Sequence, residues 1–207
     1  MEENNYGEQS AVAAGRKALL EIKDLLTGVA FPFIITLVIS STILVFASYS
    51  GELAVSIIAT VGGEAMLVAA LIIFGRANGS AAYKKTALNS QKRELGSKEE
   101  QVLCRTGEYA VWKGIVIGLI LCVPFLIFQT IELCYHNLVC SFCLQYMCGW
   151  AYYPFSYMGE GFQALNYILI IVPVGAHTLG YWLGKLKQEK LQRQIAETNA
   201  EKKGRKR

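Results

Sequence analysis

Apolar residues in this chain run together in long blocks instead of alternating with polar ones. Four blocks reach the length of about 20 helical residues that a bilayer requires: residues 29–49, 53–74, 114–134 and 162–184. The first has no charge, the second has only Glu64, the third is uncharged until Glu132, and the fourth carries only the titratable His177. A fifth uncharged run, residues 138–158, is rich in Cys, Tyr, Gln and Ser and is interrupted by Gly149 and Pro154. That composition suits a loop better than a lipid-facing span. The pattern predicts an all-α polytopic membrane protein with four transmembrane helices in two hairpins.

Charge then orients the four spans. All 20 Lys/Arg fall on one side: three in the arm of residues 1–27, eight in the central loop 75–113 and nine in the tail 185–207. The positive-inside bias therefore predicts cytoplasmic N and C termini and a cytoplasmic central loop, with residues 135–161 as the outer loop. Counting 138–158 as a fifth span would move the nine tail cations outside. Trp112 and Trp182, beside Lys113 and Lys185, fall at inner span ends, and Trp150 falls on the outer side, as headgroup-level aromatic belts would. The long, partly acidic leader predicts an uncleaved first span rather than a signal peptide.

Composition adds little beyond this. Charged residues are 17% of the 207, against about 25% in soluble domains, and mean hydropathy is +0.34. The membrane domain spans residues 28–184. Ahead of it, Ser10 can cap a helix to Leu26 whose Val12, Leu19 and Ile22 would lie on the inner leaflet. Asn78-Gly79 reads as a turn, residues 80–95 as a separate helix, and Ser97 with Glu100 as a capping box. Small residues at Ala59/Gly63, Gly114/Gly118 and Gly180/Gly184 predict close helix packing within the chain. Pro32, Pro124 and Pro173 are sites where helices bend.

The candidate chemistry sits in two places. Cys134, Cys140, Cys143 and Cys148 all fall in or beside the outer loop. An outer face is oxidising, so two structural disulfides are expected, with three pairings open. Cys140-Ser141-Phe142-Cys143 also has the Cys-x-x-Cys spacing of redox sites. Four helices with outer cysteine pairs resemble the quinone-linked, disulfide-forming membrane oxidoreductases, which would imply a quinone cofactor. In that class the cysteines are divided between two loops, and here one loop holds all four. The plan is also similar to that of tetraspanins, but Met147-Cys148-Gly149 stands where they have Cys-Cys-Gly. The spacing lacks the paired Cys-x-x-Cys of zinc ribbons, so no metal is expected.

The second place is inside the membrane. Glu64 lies about 17 Å and His177 about 22 Å from their outer span ends at 1.5 Å per residue, close enough in depth to pair if the helices touch. Such groups are costly in lipid and mark proton or ion pathways when they are not packed away. Hydrolysis is disfavoured. Asp24, the one aspartate, and His136 fall on opposite sides, and no nucleophile elbow or phosphate-binding loop occurs. The reading is a non-hydrolytic accessory, assembly or transport-associated component of a plasma or cytoplasmic membrane. The alternatives are a thiol–disulfide oxidoreductase using the outer cysteines and a proton-coupled small-solute transporter using Glu64. Expected partners are anionic inner-leaflet lipids, met by the basic loop and tail, and a membrane protein or second copy, with no specific nucleic acid.

Overall fold

The structure is a computed structural model that describes residues 2–49, 52–95, 108–157 and 160–204. Among the described residues every element is helical: α1 Glu2–Tyr49, α2 Leu53–Leu95, α3 Val111–Tyr135, α4 Leu138–Ser156, a 3-10 segment Glu160–Ile170 and α5 Ile171–Gly204. Four segments are long and apolar enough to cross a membrane: Gly15–Ser48, Leu53–Ser90, Val111–Tyr135 and Ala164–Thr198. This is a membrane protein. Large apolar side chains such as Ile58, Val61, Ile73 and Ile171 point away from the bundle, as they do where lipid is the solvent.

Helices in lipid gain little from hydrophobic burial against each other, so close backbone contact must hold them. The α2–α5 contact is the most extensive in the molecule, and its seam is glycine on both sides. A Cβ on Gly75 would collide with the His177 carbonyl, on Gly79 with that of Tyr181, on Gly180 with that of Ile72, and on Gly184 with that of Arg76. Helix α3 packs on an adjoining face of α5, with Gly118 against Val174 and Gly114 against Thr178 and Tyr181. The expected intrachain role of Gly114/Gly118 and Gly180/Gly184 is borne out. Gly63 makes room for Ile43 and Ile39 of α1.

Ser10 caps no separate arm helix, because it lies inside α1, which runs from Glu2 through Leu26 to Tyr49, and three further sequence expectations need correction. First, Asn78-Gly79 is not a turn. Helix α2 continues unbroken for 43 residues, about 64 Å at 1.5 Å per residue. Both residues have turn chemistry, but Gly79 serves as a contact point and Asn78 as a donor across helices. Residues 80–95 therefore prolong the span as one rod. The capping box at Ser97–Glu100 and Cys104 lie outside the described residues.

Second, most of the run expected to be a loop is a helix tucked into the bundle. His136 ends α3 in the left-handed region (φ 45°), with its N–H donating to the Glu132 carbonyl. The Asn137 side chain then accepts from the amides of Val139 and Cys140 and starts α4. Helix α4 packs on α1 and α3, burying Leu144, Cys148, Trp150 and Ala151. Trp150 is thus a core residue packed 5.7 Å from Phe125, not a belt residue. A Cβ on Gly149 would stand 2.9 Å from the Ser40 carbonyl, about 14 Å along α1 from its end at Tyr49. The helix kinks at Cys148 (φ −128°, ψ 28°).

Third, the expected disulfides are not formed: Cys134, Cys140, Cys143 and Cys148 are free thiols. The cause is the same helix. A compact loop would bring the four sulfurs together, whereas α4 buries Cys148 among α1 and α3 and leaves Cys134 exposed on α3.

Candidate functional site

Helix α1 contains Pro32. Proline has no N–H, so the carbonyl four residues earlier, Gly28, loses its helical partner. Asn78 of α2 fills that vacancy: its Nδ2 donates to the Gly28 oxygen at 3.0 Å. Gly28 also leaves room for Ile117 of α3, whose side-chain end would stand 3.0 Å from a Cβ there.

The same Asn78 nitrogen lies 3.4 Å from Nε2 of His177 on α5. His177 is fully buried, and its Nδ1 lies 3.2 Å from the Gly114 carbonyl of α3. A carbonyl only accepts, so Nδ1 bears the proton and Nε2 accepts from Asn78. One asparagine amide and one neutral histidine thereby tie all four spans at a single level. Protonating Nε2 would set two donors face to face. Turning the Asn78 amide over would set its oxygen against the Gly28 carbonyl.

A cavity of about 310 Å³ opens beside this tie, lined from α1, α2, α3 and α5. Asp24 and Lys85 pair across it at 2.7 Å, and Lys113 contributes a buried lysine. The Lys113 ammonium also stands 5.6 Å from the Trp112 ring. Leu25, Ala81, Ala82 and Ile117 make the apolar wall. Behind it, Tyr181 stacks on Tyr109 with ring centroids 5.0 Å apart. Tyr109 is held by its own N–H, which donates to Thr86 at 2.8 Å. Burial, with a smaller push from the Glu189 carboxylate, raises the Tyr109 phenol above its ordinary range, so it remains a protonated donor.

Glu64 and His177 do not meet. His177 faces Gly75 and Asn78 on α2, and Gly75 is about 16 Å along the helix from Glu64 at 1.5 Å per residue. The depth expected for His177 assumed α-helix from residue 162, but residues 160–170 form a 3-10 helix, which rises about 2.0 Å per residue. Glu64 sits half-buried on α2, with Oε1 enclosed and lacking a hydrogen-bond partner. Cys140 and Cys143 share helix α4, part-buried.

Sequence reasoning found His177 but missed the residues that give it meaning. The sequence pattern places Asn78 in a turn, makes Lys85 and Lys113 side-of-membrane charges and brings in Asp24 only against a hydrolytic site. One available signal was Pro32: a proline within a span frees a specific carbonyl, and an asparagine on the next span is a suitable donor. Comparison with known protein families, with characterised proteins and with solved structures finds no match for this chain.

Proposed function

We propose that the chain is a non-hydrolytic accessory, assembly or transport-associated component of a plasma or cytoplasmic membrane. In this reading α1 with α2 and α3 with α5 are two membrane hairpins, and both termini and residues 75–113 are cytoplasmic. The observation that carries the reading is the His177–Asn78 tie. Both nitrogens of the buried histidine are engaged, with a backbone carbonyl and an amide that itself holds α1. A satisfied buried network rigidifies. Asn78 and His177 thus act as fasteners, and a separate set of charged groups, Asp24, Lys85 and Lys113, lines a cavity at the end of the bundle.

A second reading rests on Glu64, whose enclosed carboxyl oxygen has no partner. It is a proton-coupled transporter with Glu64 as the proton carrier. Reconstitution of the purified chain in liposomes separates the two. The accessory reading expects no proton-driven solute flux and no quinone-dependent oxidation of a reduced peptide by the chain alone. Either activity would overturn it. Topology is tested by labelling single cysteines placed at Ser97 and Lys203, which should react only from the cytoplasmic side.

A further inference from the structure

We propose that the cavity between α1, α2, α3 and α5 binds an anionic phosphate group carried on a lipid headgroup. The proposal depends on the topology above only for the leaflet it assigns. Lys113 is the decisive group. The residue is 8% exposed and lines the cavity. Enclosing an ammonium costs free energy unless partners share the space, and the Trp112 ring 5.6 Å away offsets only part of that cost, leaving the ammonium's positive charge unbalanced. Asp24 does not serve, because it is engaged with Lys85 at 2.7 Å. The lining thus holds two ammonium groups against one carboxylate, a net positive charge that one monoanion would balance.

The remaining walls select the carrier of that anion. Leu25, Ala81, Ala82 and Ile117 present apolar surface, which a free inorganic ion would not use and an amphiphile would. The cavity lies where α3 begins, with Lys113 only two residues into the helix, at the depth where spans meet headgroups. At about 310 Å³ it holds a headgroup and not a whole lipid, so the acyl chains would run outside along the apolar faces of the bundle. Lysine acts as a point charge toward phosphate, and basic pockets between spans are the usual seats of anionic headgroups.

The test uses the full-length chain in neutral detergent, with bound lipid read by native mass spectrometry. The probes are phosphatidylglycerol, phosphatidylcholine and inorganic phosphate. Wild type should retain phosphatidylglycerol in preference to phosphatidylcholine. Lys113→Gln should lower that retention about tenfold, the scale of one charge-assisted contact. Ala82→Leu, which fills the cavity and leaves every charge in place, should lower it as well, and guards against a folding defect in the lysine variant. Asp24→Asn should raise retention several-fold by removing the competing carboxylate. Equal retention of the two lipids would overturn the proposal, as would wild-type retention by both Lys113→Gln and Ala82→Leu. So would parallel losses in Asp24→Asn and Lys113→Gln, which would mark a merely structural pair. Displacement of phosphatidylglycerol by inorganic phosphate would move the site to a free anion and overturn the lipid assignment. None of these outcomes depends on the labelling pattern that tests topology.

Discussion

The two ends of the bundle are held together by different physics. At the end where α3 begins and α2 and α5 run on beyond the span, glycines bring backbones into contact and a few hydrogen bonds fix the register. Gly79 and Gly184 sit against carbonyls there, and Ser80 donates to the Gly184 carbonyl at 3.1 Å. At the other end, α4 wedges large side chains between α1 and α3. Phe125, Trp150 and Tyr167 pack there at centroid distances of 5.7 and 5.9 Å, and Tyr157 reaches Thr60 of α2 at 3.1 Å. Backbone contact tolerates no added atom, whereas side-chain packing can shift rotamers. The first end should therefore be brittle and the second forgiving.

The sharpest way to break this contrast is at the seam. Gly79→Leu puts a branched side chain where even a Cβ meets the Tyr181 backbone. The expected loss is about 4 kcal/mol or more, in the range where a bundle no longer assembles. Loss of the monodisperse peak in detergent would register it. The hydrogen-bonded tie comes next. Asn78→Leu leaves the Gly28 carbonyl and His177 Nε2 without donors at once, for roughly 2–3 kcal/mol of destabilisation. Asn78→Gln keeps an amide donor and should recover part of the loss. If thermal unfolding shows Asn78→Leu as stable as wild type, the tie is not what holds α1 to α5.

How far the sequence reveals this difference depends on the length scale of the signal. The four spans are legible because about 20 apolar residues in a row have few other uses. The glycine seam was half legible: Gly180 and Gly184 stood out, but Gly75 and Gly79 fell in a stretch assigned to polar loop. Helix α4 was misread because its Cys, Tyr and Gln look wrong for lipid. They are wrong for lipid, and the helix instead buries its face against protein. Asn78 and His177 are 99 residues apart in sequence, and no local pattern pairs them. The cavity is harder still, since Asp24, Lys85 and Lys113 are ordinary surface residues until the fold brings them together.

Smaller effects are expected at the α4 end. Gly149→Val meets a backbone contact as well, but a Cβ there would stand 2.9 Å from the Ser40 carbonyl, a looser approach than at the seam, so it should cost about 1–3 kcal/mol, as overpacking does, with the bundle still formed. Thiol accessibility sharpens the contrast without a core substitution. Cys134 is exposed, Cys140 and Cys143 are part-buried, and Cys122 and Cys148 are buried. Among these five, a maleimide probe applied without reductant should therefore modify Cys134 first and reach Cys122 and Cys148 only on unfolding. If Cys140 and Cys143 prove unreactive until reductant is added, a disulfide has formed between them and α4 is differently arranged in solution.

The smallest expected effect is at Glu64, and it bears on function more than on stability. The residue lies on α2 between the two ends, next to Gly63, where α2 touches Ile43 of α1. Its enclosed Oε1 has no hydrogen-bond partner. A carboxylate without a partner is expensive in a membrane interior, while a neutral side chain of the same shape is not. Glu64→Gln keeps the shape and removes the option of charge, so it should alter stability by less than about 1 kcal/mol, in either direction. Glu64→Leu also removes the polar atoms and should be equally well tolerated, because no hydrogen-bonding partner is left behind. A marked loss in Glu64→Leu alone would reveal a polar neighbour held by the carboxyl. If both variants fold as wild type does and a proton-driven flux present in wild type disappears in Glu64→Gln, Glu64 carries protons and the transporter reading replaces the accessory one.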